Sequence, residues 1–207
     1  MQRLTEVVKH LLIINVLLFI AKQSFGLESF ALYFPETEHF QPYQIVTHMF
    51  MHGNLMHIFF NMFALWMFGG AVESIWGPKK FLFFYLTAGL GAALFTIGID
   101  YYQYLNASGT FYYSAMLGAS GAIMGVLVAF GMSFPNAELM LIFFPVPIKA
   151  KYFIPIIVGM DIFSGLTGVS IFSPSNTAYW AHVGGALTGL LLMLYWKRTQ
   201  FDNNRWN

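Results

Sequence analysis

The chain has 207 residues, of which 57% are hydrophobic, 19% aromatic and only 9% charged. Soluble domains carry about 25% charged residues, so this composition argues against a soluble globular protein and predicts one membrane domain over residues 1–207. A net charge of +1 gives no argument for nucleic acid, and the absence of cysteine excludes disulfides, thiolate metal sites and cysteine nucleophiles.

Six segments are apolar and long enough to cross a bilayer, which takes about 20 mainly apolar residues. In chain order they are residues 8–26, 53–75, 79–99, 116–133, 150–167 and 178–196. The first resembles a signal-peptide core, but no convincing cleavage site follows it, so we expect a retained span. The polar, acidic stretch after it is predicted to be a folded surface loop. The predicted fold class is therefore all-α, a polytopic bundle of six transmembrane helices.

The basic residues predict how these spans are oriented. With six spans, nine of the ten Lys and Arg residues fall on one side, and only Lys22 lies near the other. Those nine are Arg3, Lys9, Lys79, Lys80, Lys149, Lys151, Lys197, Arg198 and Arg205. Because basic residues favour the cytoplasmic side, both termini are predicted to be cytoplasmic.

Three spans carry polar residues where they enter from the outside. His52, His57 and Asn61 lie near the start of the second span, Ser120 near the start of the fourth and His182 near the start of the sixth. His57 and Asn61 are four residues apart and therefore share one helix face. Polar side chains inside a membrane usually face the bundle interior or a water-filled cavity, so we expect these groups to converge.

Small residues predict that the fourth and sixth spans pack closely. The two ridges are Gly121, Gly125 and Ala129, and Ala181, Gly185 and Gly189. Such ridges let helix backbones approach each other, which would bring His182 toward Ser120. A hydroxyl is a weak nucleophile that needs an adjacent base, and His182 could take its proton and return it to a leaving amine.

Each feature also has a simpler explanation. Small-residue ridges more often serve packing, a serine at a helix start is usually a cap, and a buried histidine can be structural or part of a proton path. His52 and His57 are five residues apart, align poorly on a helix face and lack a neighbouring carboxylate, so zinc is not expected. Asp161 is interpreted as an interhelical hydrogen bonder or cap, and Glu73 as an anchor for the loop after the second span.

Together, the motifs resemble those of the rhomboid family of intramembrane serine proteases. The family pattern combines G-x-S-G, an earlier His-xxxx-His-xxx-Asn and a later Ala-His-xx-Gly-xxx-Gly. Here these stand at residues 118–121, at His52, His57 and Asn61, and at Ala181, His182, Gly185 and Gly189. The likeness covers about residues 8–196, with all three motifs on the spans where the family carries them.

The resemblance implies a Ser–His dyad rather than a triad, with Ser120 as nucleophile and His182 as base. It also implies an oxyanion site formed by the side chains of His57 and Asn61 and the backbone N–H of Ser120. Supporting roles fall to Gly118, which leaves room for the substrate backbone, to His52 as a loop anchor, and to Gly121, Met124, Gly185 and Gly189. No metal or cofactor is implied.

By the same likeness, the substrates are single-span membrane proteins that enter between the second and fifth spans and are cut near the outer surface. The fifth span, with Gly159, Gly165 and Gly168, would be a mobile gate, and residues 169–176, with Ile171 and Phe172, would cap the site. The lipid bilayer is the other expected partner, nucleic acid is not, and the predicted location is a bacterial inner membrane.

Two features depart from the family pattern. Residues 26–44 lack the Trp-Arg pair that some bacterial members carry in the first loop, so we expect this loop to fold differently. The position four after the serine, often aromatic, is Met124, whose thioether can pack on the histidine ring more weakly. Two other functions stay open: a proteolytically silent protein that binds or escorts membrane helices, and a small transporter, although no inverted repeats are evident.

Overall fold

The computed structural model describes residues 4–108, 113, 115–141, 144–169 and 178–200 of the chain. The helices are α1 (Glu6–Phe25), α2 (Gln44–Thr47), α3 (Leu55–Ala64), α4 (Gly70–Trp76), α5 (Pro78–Asn106), α6 (Ser120–Ser133), α7 (Ala150–Thr167) and α8 (Tyr179–Gln200). Two strands, β1 (Glu138–Leu141) and β2 (Phe144–Lys149), pair in an antiparallel hairpin. The helical prediction is confirmed, apart from this hairpin, which lies between the predicted fourth and fifth spans.

Among the described residues, four helical segments are long and apolar enough to cross a membrane: α1, the continuous run from Leu55 to Trp76, α5 and α7. The Leu55–Trp76 segment contains a π-helical turn at Leu65–Gly69 that joins α3 to α4. The helix α6 is apolar but has only 14 residues. The 22-residue α8 carries His182 and several glycines, which lower its mean hydropathy. The count of six spans therefore stays a prediction.

The fourth predicted span is shorter than expected. Its helix begins at Ser120 rather than at residue 116, because Met116 pairs with Leu32 in an isolated antiparallel bridge and Gly118 has a φ of 122°. At 1.5 Å per residue, 14 residues extend about 21 Å, less than the roughly 30 Å hydrocarbon core. Ser120 therefore opens a short central helix rather than one of full membrane length.

The core surrounds α6. Every residue from Gly121 to Leu127 is buried, as are Ala129 and Phe130, because α5, α7 and α8 pack around this helix. A helix that is apolar on all sides is expected to lie inside its bundle. The central position of α6 places its first residue, Ser120, between the ends of neighbouring helices.

The polar loop between α1 and α3 is folded around one buried amide. The Gln44 side chain donates to the carbonyl oxygens of Ser29 and His39 at 2.8 and 2.9 Å, and accepts from the backbone N–H groups of Tyr33 and Gln41. This first loop, residues 26–54, also contacts the Ser120 turn, since the His48 carbonyl accepts from the Gly118 N–H at 2.9 Å. The loop therefore supports the end of the bundle where the polar residues gather.

Glu73 was expected to anchor the loop that follows its own span, and this was wrong. Its carboxylate instead accepts from the N–H groups of Val7 and Val8 at 2.8 and 2.9 Å and from the Thr5 hydroxyl. The first N–H groups of a helix have no intrahelical partner, so Glu73 caps α1 from a distant part of the chain.

Candidate active site

Ser120 and His182 come together at the ends of α6 and α8. The His182 Nε2 atom lies 2.9 Å from the Ser120 Oγ atom, although the residues are 62 positions apart. Each residue lies in the first turn of its helix, so both side chains reach into the same end of the bundle. At this distance the serine hydroxyl can donate its proton to the imidazole.

The glycines of the two ridges set the separation of α6 and α8. A Cβ atom at Gly189 would lie 2.7 Å from the Cα of Gly125, and one at Gly185 would overlap the Gly121 carbonyl oxygen. A Cβ at Gly121 would in turn lie 3.2 Å from the carbonyl oxygen of Ala181. The predicted close contact of the helices is present, and it extends to the residue next to His182.

Asp161 lies on the far side of the His182 ring. Its Oδ2 atom is 3.1 Å from His182 Nδ1, and the two side chains are only 10% and 14% exposed. Of the two interpretations offered for Asp161, a cap or an interhelical hydrogen bonder, the structure supports the second, with the bond joining α7 to α8. The sequence placed it in the fifth span without indicating its partner.

His57 points one ring nitrogen at the Ser120 turn. Its Nδ1 atom accepts from the Gly53 N–H at 3.4 Å, so in this arrangement Nε2 carries the proton. The Nε2 atom lies over Gly118, 2.6 Å from where a Cβ on that glycine would stand. The same Cβ position is 3.7 Å from Ser120 Oγ, so a hydrogen-bond donor faces the space beside the serine.

Asn61 lies one turn further along α3 and is buried. Its side-chain amide donates one hydrogen to the His57 carbonyl oxygen at 3.0 Å, which leaves the second amide hydrogen for another acceptor. Asn54 caps the start of the same helix by accepting from the His57 N–H at 2.9 Å. These local bonds hold His57 and Asn61 at the beginning of α3.

His52 precedes α3 rather than belonging to it. Its buried ring packs edge-on against the His57 ring with 5.0 Å between centroids, and its carbonyl accepts from Lys22 Nζ at 3.2 Å. Burial, helped by the neighbouring His57, lowers the pKa of His52 to about 3, and burial lowers that of His48 to about 4. The imidazoles of His48 and His52 are therefore neutral at pH 7.

The other predicted site residues have less direct positions. Met124 is buried in the apolar core, and its contact with the His182 ring stays a prediction. The fifth span is present as α7, where Gly165 faces the Trp180 ring and Gly159 faces open space. The predicted cap residues Ile171 and Phe172 lie outside the described residues. Within the part of the chain that is described, no three His, Asp or Glu residues form a group that could hold a metal ion.

The family model described as the rhomboid domain matches residues 39–199, which is more than half of the chain. The chain belongs to the rhomboid family. Together with the four membrane-length apolar segments, this membership makes it an integral membrane protein. The matched region includes the three motifs and Asp161.

Several curated rhomboid relatives are similar over most of this chain. The human presenilin-associated rhomboid-like protein, mitochondrial, is 33% identical over 70% of this chain and 36% of its own length. Rhomboid protease AarA of Providencia stuartii is 31% identical over 70% of this chain and 53% of its own length. Rhomboid protein 1, mitochondrial, of Saccharomyces cerevisiae is 31% identical over 73% of this chain and 41% of its own length. The chain thus spans between about a third and about half of the length of these relatives.

Proposed function

We propose that this rhomboid-family protein is an intramembrane serine endopeptidase in which Ser120 is the nucleophile and His182 the general base. The observation that carries the proposal is the 2.9 Å distance between Ser120 Oγ and His182 Nε2, at the joined ends of α6 and α8. The name of the Providencia relative, a rhomboid protease, supports the same activity.

The reaction follows from these two groups. Ser120 Oγ attacks the carbonyl carbon of the scissile amide while its proton moves to His182 Nε2. The C–N bond then breaks, and His182 gives that proton to the leaving amine, which leaves an acyl group on Ser120. Water releases the acyl group in a second round with the same base, and the serine hydroxyl is restored.

The oxyanion formed in each round needs hydrogen-bond donors. We assign this role to the Nε2–H of His57, to the second amide hydrogen of Asn61 and to the backbone N–H of Ser120 at the start of α6. The first N–H groups of a helix have no intrahelical partner, so that of Ser120 is available. A preorganised donor at such a position typically contributes about 10²–10³-fold to the rate.

The substrates proposed are single-span membrane proteins, cut near the membrane surface on the side of Ser120. A helical segment hides its amide groups in its own hydrogen bonds, so residues that weaken the substrate helix should aid cleavage. The positive-inside distribution supports cytoplasmic termini and a site at the opposite face. The bacterial inner membrane stays a prediction, since the three relatives described include two mitochondrial proteins and one from Providencia stuartii.

The test is cleavage of single-span reporters by the purified protein in lipid vesicles, with and without a metal chelator. Wild type should cut a reporter with a helix-breaking residue near the site faster than one without it. Ser120→Ala and His182→Ala should each abolish cleavage, and chelation should have no effect. Failure of wild type on both reporters, together with no labelling of Ser120 by a fluorophosphonate, would overturn the proposal and favour a helix-binding role.

A further inference from the structure

Asp161 is an unexpected residue in its helix. It is the one acidic residue of the 18-residue α7, and it is buried. A charged carboxylate near the centre of a membrane helix is costly to insert, so such residues usually have partners and functions. The mechanism proposed above does not use it.

The carboxylate of Asp161 completes a line of three groups on three helices. Its Oδ2 lies 3.1 Å from His182 Nδ1, and His182 Nε2 lies 2.9 Å from Ser120 Oγ. An ionised carboxylate can only accept hydrogen bonds, so a neutral His182 beside it must carry its proton on Nδ1. The lone pair of Nε2 then faces the serine hydroxyl, which is the arrangement that a general base requires.

We propose that Asp161 is a positioning residue that holds His182 in the tautomer and orientation needed to accept the Ser120 proton. This inference rests on the proposed function and replaces the expected dyad with a Ser–His–Asp line. Asp161 acts through His182 and has no contact with the reacting carbonyl in this assignment.

Asp161 also stabilises the charge that forms during the reaction. When Ser120 Oγ bonds to the substrate carbon, its proton moves to Nε2 and His182 becomes a cation. The negative carboxylate next to Nδ1 balances that cation while keeping its own charge, since no proton passes to Asp161. With both side chains largely shielded from water, this interaction is screened less than it would be on a protein surface.

A purely structural role would join α7 to α8 without affecting the imidazole, and kinetics separates the two cases. Asp161→Asn keeps the shape but has an amide that can donate to Nδ1, which favours the tautomer with the proton on Nε2. Asp161→Ala removes the partner. Ser164→Ala is the matched control, because Ser164 is a polar residue buried one turn further along the same helix.

We expect both Asp161 variants to lower kcat on the reporter by about 10²-fold or more, with KM within about threefold of wild type. The rate of Ser120 labelling by a fluorophosphonate should fall in parallel, while Ser164→Ala should stay within about twofold in both assays. Thermal unfolding in detergent should show that all variants fold. A kcat for Asp161→Asn within threefold of wild type would overturn the proposal.

The imidazole itself gives a second readout that does not depend on activity. Nitrogen-15 spectra of the histidine-labelled protein, with His182 assigned from a His182→Gln sample, should show the Nδ1–H tautomer in wild type. Asp161→Asn should shift His182 toward the Nε2–H tautomer, and an unchanged tautomer would contradict the proposal. If wild type neither cleaves nor labels, the proposed function fails, yet this measurement still decides whether Asp161 controls the ring.

Discussion

Gly118 has no side chain, and two features of its position require this. Its φ of 122° lies in the region that favours glycine, and a Cβ atom would stand 2.6 Å from His57 Nε2. The family resemblance implied that Gly118 leaves room for a substrate backbone. The contact adds that Gly118 leaves room for the ring that we assign to the oxyanion site.

Gly118→Ala is therefore expected to damage catalysis more than folding. The added methyl must displace the His57 ring, and losing one oxyanion donor typically costs about 10²–10³-fold in kcat. The measurement is kcat on the single-span reporter, together with thermal unfolding in detergent. Gly77→Ala is the control, since Gly77 also has a positive φ of 78° but faces open space. Equal kcat values for the two variants would remove His57 from the proposed oxyanion site.

At the scale of elements, the contact of α6 and α8 controls the distance between Ser120 and His182, the proposed nucleophile and base. Their backbones touch because Gly121 and Gly125 face Gly185 and Gly189. His182 lies one turn before Gly185 on α8, so a separation of the helices there would also move its ring from Ser120. The two small-residue ridges in the sequence thus predict both the close packing of α6 and α8 and the approach of His182 to Ser120.

Gly185→Ala should separate the two helices. The new methyl would overlap the backbone oxygen of Gly121, which cannot rotate away as a side chain can. Overpacking of this kind typically costs about 1–3 kcal/mol, and we expect kcat to fall at least about tenfold. The checks are the free energy of unfolding in mixed micelles and reporter cleavage. Gly98→Ala is the control, because a Cβ atom there, on the exposed face of α5, meets nothing within 4 Å; this variant should leave both the free energy of unfolding and the cleavage rate unchanged. A Gly185→Ala protein as active as wild type would contradict the link between helix separation and activity.

The helix α7 is held to the core near both ends. Near the start of α7, Ile154 packs against Gly131, and a Cβ atom on that glycine would lie 2.6 Å from the Ile154 Cδ1 atom. Near its end, the missing side chain of Gly165 leaves space for the Trp180 ring. Between these contacts, Asp161 bonds to His182 and Gly159 faces open space. If α7 is the gate that the family resemblance implies, its opening must also break the Asp161–His182 hydrogen bond.

For the whole molecule, hydropathy placed the long helices, although α6 begins later than predicted, and small-residue spacing predicted that Ser120 and His182 lie close together. Pairings between distant elements could not be predicted in this way. Nothing near Asp161 or Glu73 in the sequence indicates His182 or the start of α1 as its partner. The β1–β2 hairpin was missed because Pro145 and Pro147 argue against a strand, although the open edge of a two-stranded sheet tolerates residues without an N–H.

The first loop links the stability of the whole molecule to pH. Its fold depends on the buried Gln44, and the buried His48 bonds through Nδ1 to the Gln44 carbonyl at 3.0 Å. Burial lowers the pKa of His48 from 6.5 to about 4 and that of His52 to about 3. Above about pH 8 both residues are neutral in the folded and unfolded chains, so they add almost no pH dependence there.

Below about pH 6.5 the unfolded chain binds protons on these histidines while the folded chain does not, so stability must fall as pH decreases toward 4. Each histidine contributes a slope of up to about 1 kcal/mol per pH unit in that interval.

His48→Gln keeps a donor for the Gln44 carbonyl but cannot titrate, so its free energy of unfolding should decrease less steeply than that of wild type between pH 6.5 and 4.5. The measurement is reversible unfolding in mixed micelles at half-unit pH steps. The reference is pH 8, where the difference in free energy of unfolding between the two proteins does not change with pH. Parallel curves from pH 8 to pH 4.5 would mean that His48 takes up protons as readily in the folded loop as in the unfolded chain, and burial could not then be what keeps it neutral.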